Sequence, residues 1–350
     1  MWLFKKEAQP FGLSFHSGPS QLCNYKILRR PSNTNNKYII DISNQEVFIM
    51  CLNKLIDKFW AFIAEQDRQR IEKTVYPEGV KAYKDIPYLD DGDEYHLLDV
   101  YVPEDKVGQK IPTMLDIHGG GWYYGKKEIN QEFNYIMALK GFQIISGNYR
   151  LARAYTLKDI VQDVFAQLKW IEDNAEKYNF DLDNLVICGD SAGGWLAAMT
   201  VAIIKNKHLQ EVYGVSSTLN FKAVSLICAV VNPTRYNWPI LSAYLKPLYG
   251  KGYTKCGFYK ESNFLKYIPE DMPPVFMNTA KGDIFKSGNI ALYKTLKKKN
   301  FEDMVYIYYP EKLEGEHKIE HVYNILNPYY DVSKETNDRM AEFFLENLNK

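Results

Sequence analysis

Apolar residues recur at helical spacing at Phe48, Leu52, Leu55, Ile56, Phe59 and Ile63, with Ser43 and Glu46 at capping-box spacing ahead of them. The spacing predicts a helix over about 43–66 with one strongly apolar face. Docking on the same chain's core is the plain reading of such a face; a membrane-surface or partner helix is the alternative. Residues 1–42 mix Gly, Pro, Ser and Asn with scattered aromatics and hold no period, which reads as an irregular leader. From about residue 83 strand-like and helix-like segments alternate. Strands are expected at Tyr95–Val102, Thr113–Ile117, Phe142–Gly147, Leu185–Cys188, Ala223–Val231, Val275–Asn278 and Val305–Tyr309. Leu157, Ile160, Val161, Val164, Leu168 and Ile171 mark one helical stripe, and further helices are expected at Trp195–Ile204, Asn289–Lys299 and Glu335–Leu348. This alternation predicts an α/β fold: a mostly parallel central sheet with helices on both faces. No internal repeat competes with it.

The order of elements divides the chain into a leader with a cap helix over 1–75 and a catalytic domain over 76–350. Between the strands at 223–231 and 275–278, a Tyr-, Trp-, Pro- and Lys-rich stretch over 232–273 is too long for a simple connection and reads as lid material. Composition narrows the class. With 46% apolar residues there is material for a large core, and 43 basic against 43 acidic residues leave no net field to recruit nucleic acid or an anionic membrane. No apolar run approaches the roughly 18 residues of a spanning helix, and the first residues are too short an apolar stretch for a signal peptide, so a cytoplasmic location is expected. The five cysteines (Cys23, Cys51, Cys188, Cys228 and Cys256) are odd in number and form no CxxC pair, which argues against disulfides and structural zinc.

Candidate chemistry begins at Gly189-Asp190-Ser191-Ala192-Gly193, which fits G-x-S-x-G directly after an apolar strand and before an apolar helix. A sharp strand-to-helix turn of this kind lifts a serine hydroxyl above the strand end, and the helix N-terminus favours negative charge. His118-Gly119-Gly120-Gly121-Trp122 also follows a strand. Backbone amides of such a loop, with the amide of Ala192, can stabilise an oxyanion, one donor being worth roughly 3 kcal/mol of barrier. His118 reads as a holder of that loop, and Trp122 and Tyr123 as candidate pocket walls.

HGGGW at 118–122, Asn148-Tyr149-Arg150-Leu151-Ala152 and GDSAGG at 189–194 together resemble the hormone-sensitive-lipase-like esterases of the α/β-hydrolase fold, over roughly residues 83–350. The resemblance implies a cofactor-free serine esterase acting on small-molecule esters of short acyl or aryl type. Its oxyanion hole falls at Gly120 and Gly121, with Gly119 a further member, and the 43–66 helix is similar in placement to the family's cap. The family usually continues its YRLA motif with Pro-Glu where this chain has Arg153-Ala154.

In this fold the triad order is serine, acid, histidine. Asp283, just beyond the 275–278 strand, is the expected acid; Asp271 and Asp303 precede strands and do not fall at a carboxyl edge. Two histidines follow the last strand. His321, followed two residues later by Tyr323, looks like the family's histidine and is preferred to His317. His16, His96 and His208 are assigned bland roles. Spacing of four between His317 and His321 is that of helical zinc ligands, but Lys318 stands where H-E-x-x-H needs glutamate, so no metal is expected. No phosphate loop or dinucleotide fingerprint is present. An arylformamidase-like amidase or peptidase keeps the same motifs, and a non-catalytic small-molecule receptor on this fold is a rival of another class. A homodimer is among the oligomeric states left open.

Overall fold

The computed structural model describes residues 42–235, 239–250, 252, 255, 257–313 and 318–348, with side chains at all of these except 42–51, 235 and 239–243. The leader, His16 and His317, and the side chains of Cys23, Ser43, Glu46, Cys51 and Cys256, therefore lie outside what is described. In chain order the elements are α1 (Ile42–Lys73), β1 (Val80–Pro87), β2 (Leu97–Pro103), β3 (Ile111–Ile117), α2 (Gln131–Leu139), β4 (Gln143–Gly147), α3 (Leu157–Asp173), α4 (Ala175–Tyr178), β5 (Phe180–Asp190), α5 (Ser191–Ile204), α6 (Lys207–Tyr213), β6 (Ala223–Ile227), α7 (Pro239–Tyr249), α8 (Gly257–Glu261), β7 (Val275–Ala280), α9 (Lys286–Lys298), β8 (Met304–Tyr309), α10 (Tyr323–Leu326) and α11 (Asp331–Leu348).

Eight strands form one sheet in the order β1-β2-β4-β3-β5-β6-β7-β8. The β1–β2 and β2–β4 pairs are antiparallel, and every pair from β4 through β8 is parallel. Strand side chains alternate between two cores, as the pleat requires. Leu115, Ile117, Ile187, Val224, Leu226 and Met277 face one core with α3 and α5 residues such as Ile160, Leu168, Trp195 and Met199. Met114, Val186, Cys188, Ile227 and Phe276 face the other with Phe133 and Met137 of α2 and Met340 and Phe344 of α11. The central strands read as near-continuous apolar runs because both of their faces are covered.

Several boundaries differ from the sequence reading. The strand expected over Ala223–Val231 stops at Ile227, because Cys228 takes φ = +46° and turns the chain out of the sheet. β5 runs well beyond Leu185–Cys188 at both ends, and α5 begins on Ser191 itself rather than at Trp195. β1 carries a bulge between Tyr83 and Ile86, with Asp85 at φ = +54°, which breaks the alternation that would have revealed it. The described residues of the 232–273 stretch form α7, α8 and short 3-10 turns between β6 and β7.

Two compact units divide the chain, Met1–Leu55 and Ile56–Lys350, a boundary inside α1 and earlier than residue 75. Of the first unit only the opening of α1, from Ile42, is described. Among the described residues no helix is long and apolar enough to cross a membrane.

Ile187, fully buried in the central strand β5, tests the packing. Ile187→Ala should lower unfolding free energy by about 2–5 kcal/mol in urea titrations; a loss below about 0.5 kcal/mol, the level of a surface change, would contradict the described core.

Candidate active site

The site gathers at the carboxyl ends of β3, β5, β6 and β7. Ser191 has φ = +53°, a left-handed conformation that costs a non-glycine residue roughly 1–3 kcal/mol. Two close approaches dictate glycine beside it: a Cβ on Gly189 would overlap the Gly193 carbonyl oxygen, and a Cβ on Gly193 the Ile117 carbonyl oxygen. The Val230 amide donates to the Ser191 carbonyl at 2.9 Å, tying the elbow to the chain that leaves β6.

Ser191 Oγ lies 2.9 Å from His321 Nε2, and His321 Nδ1 lies 2.7 Å from Asp283 Oδ1. With Nδ1–H donating to the carboxylate, Nε2 is left to accept from the serine hydroxyl. Asp283 is itself fixed: Oδ1 accepts the Phe285 amide at 2.9 Å and Oδ2 accepts the Thr279 hydroxyl. A parallel bridge between Gly282 and Glu320 clamps the acid loop to the histidine loop, and Val322, at φ = +48°, turns the chain into α10. The Asp283 side chain is fully buried, whereas that of His321 is 23% exposed, so the imidazole is the edge open to an incoming molecule.

The glycine loop after β3 is held by its carbonyls. Gly119 O accepts from His118 Nδ1 at 2.8 Å and from the Tyr149 hydroxyl at 3.0 Å; Gly120 O accepts the Tyr123 and Tyr124 amides, both at 3.1 Å. A trans peptide points its N–H opposite its C=O, so these anchors direct the Gly120 and Gly121 amides away from them. Gly120 and Gly121 take φ of +102° and +62°, values open to glycine. The Ala152 amide holds Trp122 O at 2.7 Å, so the YRLA segment braces the loop at two points, through Tyr149 and through Ala152. Arg150 is pinned on Asp163, and Arg153, at φ = +83°, pairs with Asp57 of α1 at 2.9 Å.

Gly119 is a correction to the expected donor set. Its amide, expected to be free as an oxyanion donor, instead donates to Asp190 Oδ1 at 2.9 Å. His118 is buried, stacked on Tyr149 with centroids 4.2 Å apart, and burial lowers its pKa to about 4, so it is a neutral brace. Ala192, also fully buried, stands at the N-terminus of α5. Trp122 is 4% exposed and packs edge-on to Trp195 at 5.7 Å, while Tyr123 packs at a tilt against Tyr244 of α7. Asp271 pairs with Lys205, Asp303 is exposed before β8, His96 sits between Asp91 and Asp163, and His208 is exposed beside Glu261.

A cavity of about 380 Å³, lined by Val230, Val231, Asn232, Leu265, Phe285, Gly288 and Ala291, opens on the β6–β7 side of the serine. Phe285, one of its walls, packs edge-on against His321, with ring centroids 5.3 Å apart. Cys228, Asp283 and His321 bring three potential metal-ligating atoms within 4.8 Å of one another. Both nitrogens of His321 are engaged by Asp283 and Ser191, and burial keeps the Cys228 thiol protonated, so this set fits hydrogen bonding better than an ion.

Comparison with known proteins follows the same outline. The BD-FAE family model matches residues 98–285, more than half of the chain and the span from β2 to the acid loop. The chain belongs to the BD-FAE family. Its solved neighbours place that family sequence on the α/β-hydrolase fold. Esterase B from Lactobacillus rhamnosis (HN001) is 28% identical, with a TM-score of 0.79 over 88% of this chain and 97% of that one. A hyperthermophilic esterase from Pyrobaculum calidifontis shares the fold at 20% identity and a TM-score of 0.64, over 85% of this chain and 96% of that one. Among curated relatives, arylacetamide deacetylase of Bos taurus is 38% identical over 107 residues, 28% of this chain and 26% of that protein. Esterase LipQ of Mycobacterium tuberculosis is 26% identical over 200 residues, 55% of this chain and 47% of that protein. The chain thus spans about a quarter to a half of the length of these curated relatives.

The sequence reading missed the polar floor under the loop. Asn130 Nδ2 donates to Asp190 Oδ1 at 2.9 Å and reaches both Asp116 oxygens at 3.2–3.3 Å; Asn134 and Ser146 also donate to Asp116. The available signal was a carboxylate inside the apolar strand Met114-Leu115-Asp116-Ile117. Burial, with the nearby Asp190 charge, pushes Asp116 up to about 7, and burial pushes Asp190 upward as well.

An aspartate in the unfolded chain titrates near 4. Raised in the fold, Asp116 keeps a proton the unfolded chain has lost. Its contribution to stability is therefore full below about pH 4 and is lost as pH rises through about 7. Asp116→Asn should flatten the decline in melting temperature between pH 5 and pH 8 relative to wild type; parallel declines in both proteins would contradict this assignment.

Proposed function

We propose that the protein is a serine hydrolase that cleaves carboxylic esters through Ser191, His321 and Asp283, without a cofactor. The observation that carries this reading is the continuous chain of two hydrogen bonds from Ser191 Oγ through His321 to Asp283, at 2.9 and 2.7 Å. In the reaction, His321 Nε2 takes the serine proton as Oγ attacks the ester carbonyl. Asp283 holds the imidazole in register and stabilises the imidazolium. The Gly120, Gly121 and Ala192 amides receive the developing oxyanion, a role supported by the anchored carbonyls behind two of them. His321 then protonates the departing alcohol, and water attacks the acyl-enzyme with His321 again as base.

The sheet order also suggests which group goes where. The glycine loop follows β3, on one side of β5, and His321, Asp283 and the cavity lie on the β6–β7 side. Because the leaving alcohol must reach the His321 proton, we assign the cavity to the alcohol moiety, of aryl or compact alkyl type. Structures of the Lactobacillus rhamnosis esterase inhibited by a C6-C4 SN3 compound and by a C4-C4 SN3 tributyrin phosphonate support short acyl groups. Amide hydrolysis is the second reading, favoured by the likeness to an arylacetamide deacetylase.

Wild type is expected to hydrolyse p-nitrophenyl butyrate. Ser191→Ala and His321→Ala should each lose at least about 10⁴-fold in kcat while melting as wild type does. Wild-type turnover in either variant overturns the assignment, and a higher kcat/KM for a matched anilide than for the ester moves it to the amidase reading.

Gly288 checks the alcohol pocket. It lies in the first turn of α9 with its Cβ direction in ordinary contact with Val231, so a helix-compatible Leu fits the backbone and fills the cavity. Gly288→Leu should cut kcat/KM for 1-naphthyl butyrate at least tenfold, the scale of filling an apolar pocket, and leave methyl butyrate unchanged. Equal effects on both esters contradict the pocket assignment.

A further inference from the structure

Four consecutive carbonyls of the glycine loop are anchored, and one anchor differs in origin from the rest. Gly119 O, Gly120 O and Trp122 O are held by His118 and Tyr149, by the loop's own Tyr123 and Tyr124 amides, and by Ala152. Gly121 O instead accepts the hydroxyl of Tyr244 at 2.7 Å. Tyr244 belongs to α7 in the β6–β7 connection, on the far side of the site from β3. The contact is reciprocal: the Tyr123 hydroxyl donates to the Tyr244 carbonyl, and the two rings lie 4.3 Å apart. A Cβ on Gly121 would overlap the Tyr244 hydroxyl, so the loop is shaped to receive it.

From this arrangement we infer that Tyr244 is a positioning residue: its hydroxyl, carried on α7, fixes the peptide plane that follows Gly121 and so steadies the oxyanion loop. The inference rests on the proposed role of the Gly120 and Gly121 amides. Its physical basis is the freedom of glycine. The Gly121 Cα joins two peptide planes, the first held through Gly120 O and the second through Gly121 O. The Gly121 amide lies in the first plane; with only that plane held, the Gly121 Cα at its end can still swing with the free second plane at little steric cost. Holding the second removes that motion from the hinge atom. An oxyanion donor must be aligned before charge develops, because reorganising it during the reaction adds to the barrier.

Tyr244→Phe removes the hydroxyl and keeps the ring packed on Tyr123. In p-nitrophenyl butyrate hydrolysis its kcat should fall about tenfold, less than the 10²–10³ of losing a donor outright, with KM within twofold of wild type. Affinity for a trifluoromethyl ketone, whose adduct carries the oxyanion, should weaken by the same factor as kcat. A purely structural role would not link those two numbers. Wild-type kcat and ketone affinity in Tyr244→Phe would overturn the inference, as would a loss confined to KM. Tyr123→Phe cuts the other tie between α7 and the loop and should shift kcat and ketone affinity in the same direction; it serves alone should Tyr244→Phe fail to fold, and no change in it then overturns the inference. Ser191→Ala, run alongside, separates the two levels. Turnover independent of Ser191 defeats the functional reading itself, whereas serine-dependent turnover unaffected by either tyrosine defeats only the positioning role.

Discussion

Ser191 occupies a backbone region that L-residues avoid, and the surrounding strands are arranged to keep it there. At φ = +53° it costs free energy that only neighbouring structure can offset. The Val230 amide helps by holding the Ser191 carbonyl, and it can do so only because β6 ends early. Cys228, itself at φ = +46°, turns the chain across the end of β5 where a straight strand would have carried Val230 past it. From the opposite side, Gly193 packs beneath the Ile117 carbonyl so closely that no side chain fits. The sharpness of the elbow therefore dictates where β6 breaks, how near β3 lies and which positions are glycine. Moving any one of them would release the serine into an ordinary helix start.

Beneath that elbow lies a second constraint, electrostatic rather than steric. Asp190 and Asp116 are buried beside one another, a placement tolerated because Asn130 bridges them and burial favours protonation. Asp190 in turn holds the Gly119 amide, so the floor of the glycine loop is tied to the turn that carries Ser191. The loop is then a strip of peptide planes fixed from below by Asp190, His118 and Tyr149, and from above by Tyr244. Glycine supplies the positive φ values but no rigidity; the anchors supply the rigidity.

What can be read from the sequence is what is encoded locally. The parallel strands show as apolar runs because both of their faces are covered, and the elbow and glycine loop show because their chemistry lies within five or six consecutive residues. Strand order points to Asp283 and leaves His317 and His321, between which only the family resemblance chooses; Asp283 and His321 lie 2.7 Å apart in the structure. Contacts between distant segments leave no such trace. Nothing near Gly121 announces that Tyr244 will reach its carbonyl, and the run Ala223–Val231 carries no sign that Cys228 turns it. Gly119 departs from expectation for the same reason: its amide looks equivalent to its neighbours' until Asp190 is seen beneath it. β1 is hidden by a bulge, which shifts the face of every residue beyond it.

The central claim is that Ser191 is a nucleophile activated by His321. Its most direct test is incubation of the folded chain with diethyl p-nitrophenyl phosphate, followed by intact-mass and peptide mass spectrometry. The account predicts one diethylphosphoryl group per chain, carried on Ser191, with p-nitrophenol released in equal amount and no adduct on Ser191→Ala. An unmodified chain, or an adduct located on another residue, would contradict it.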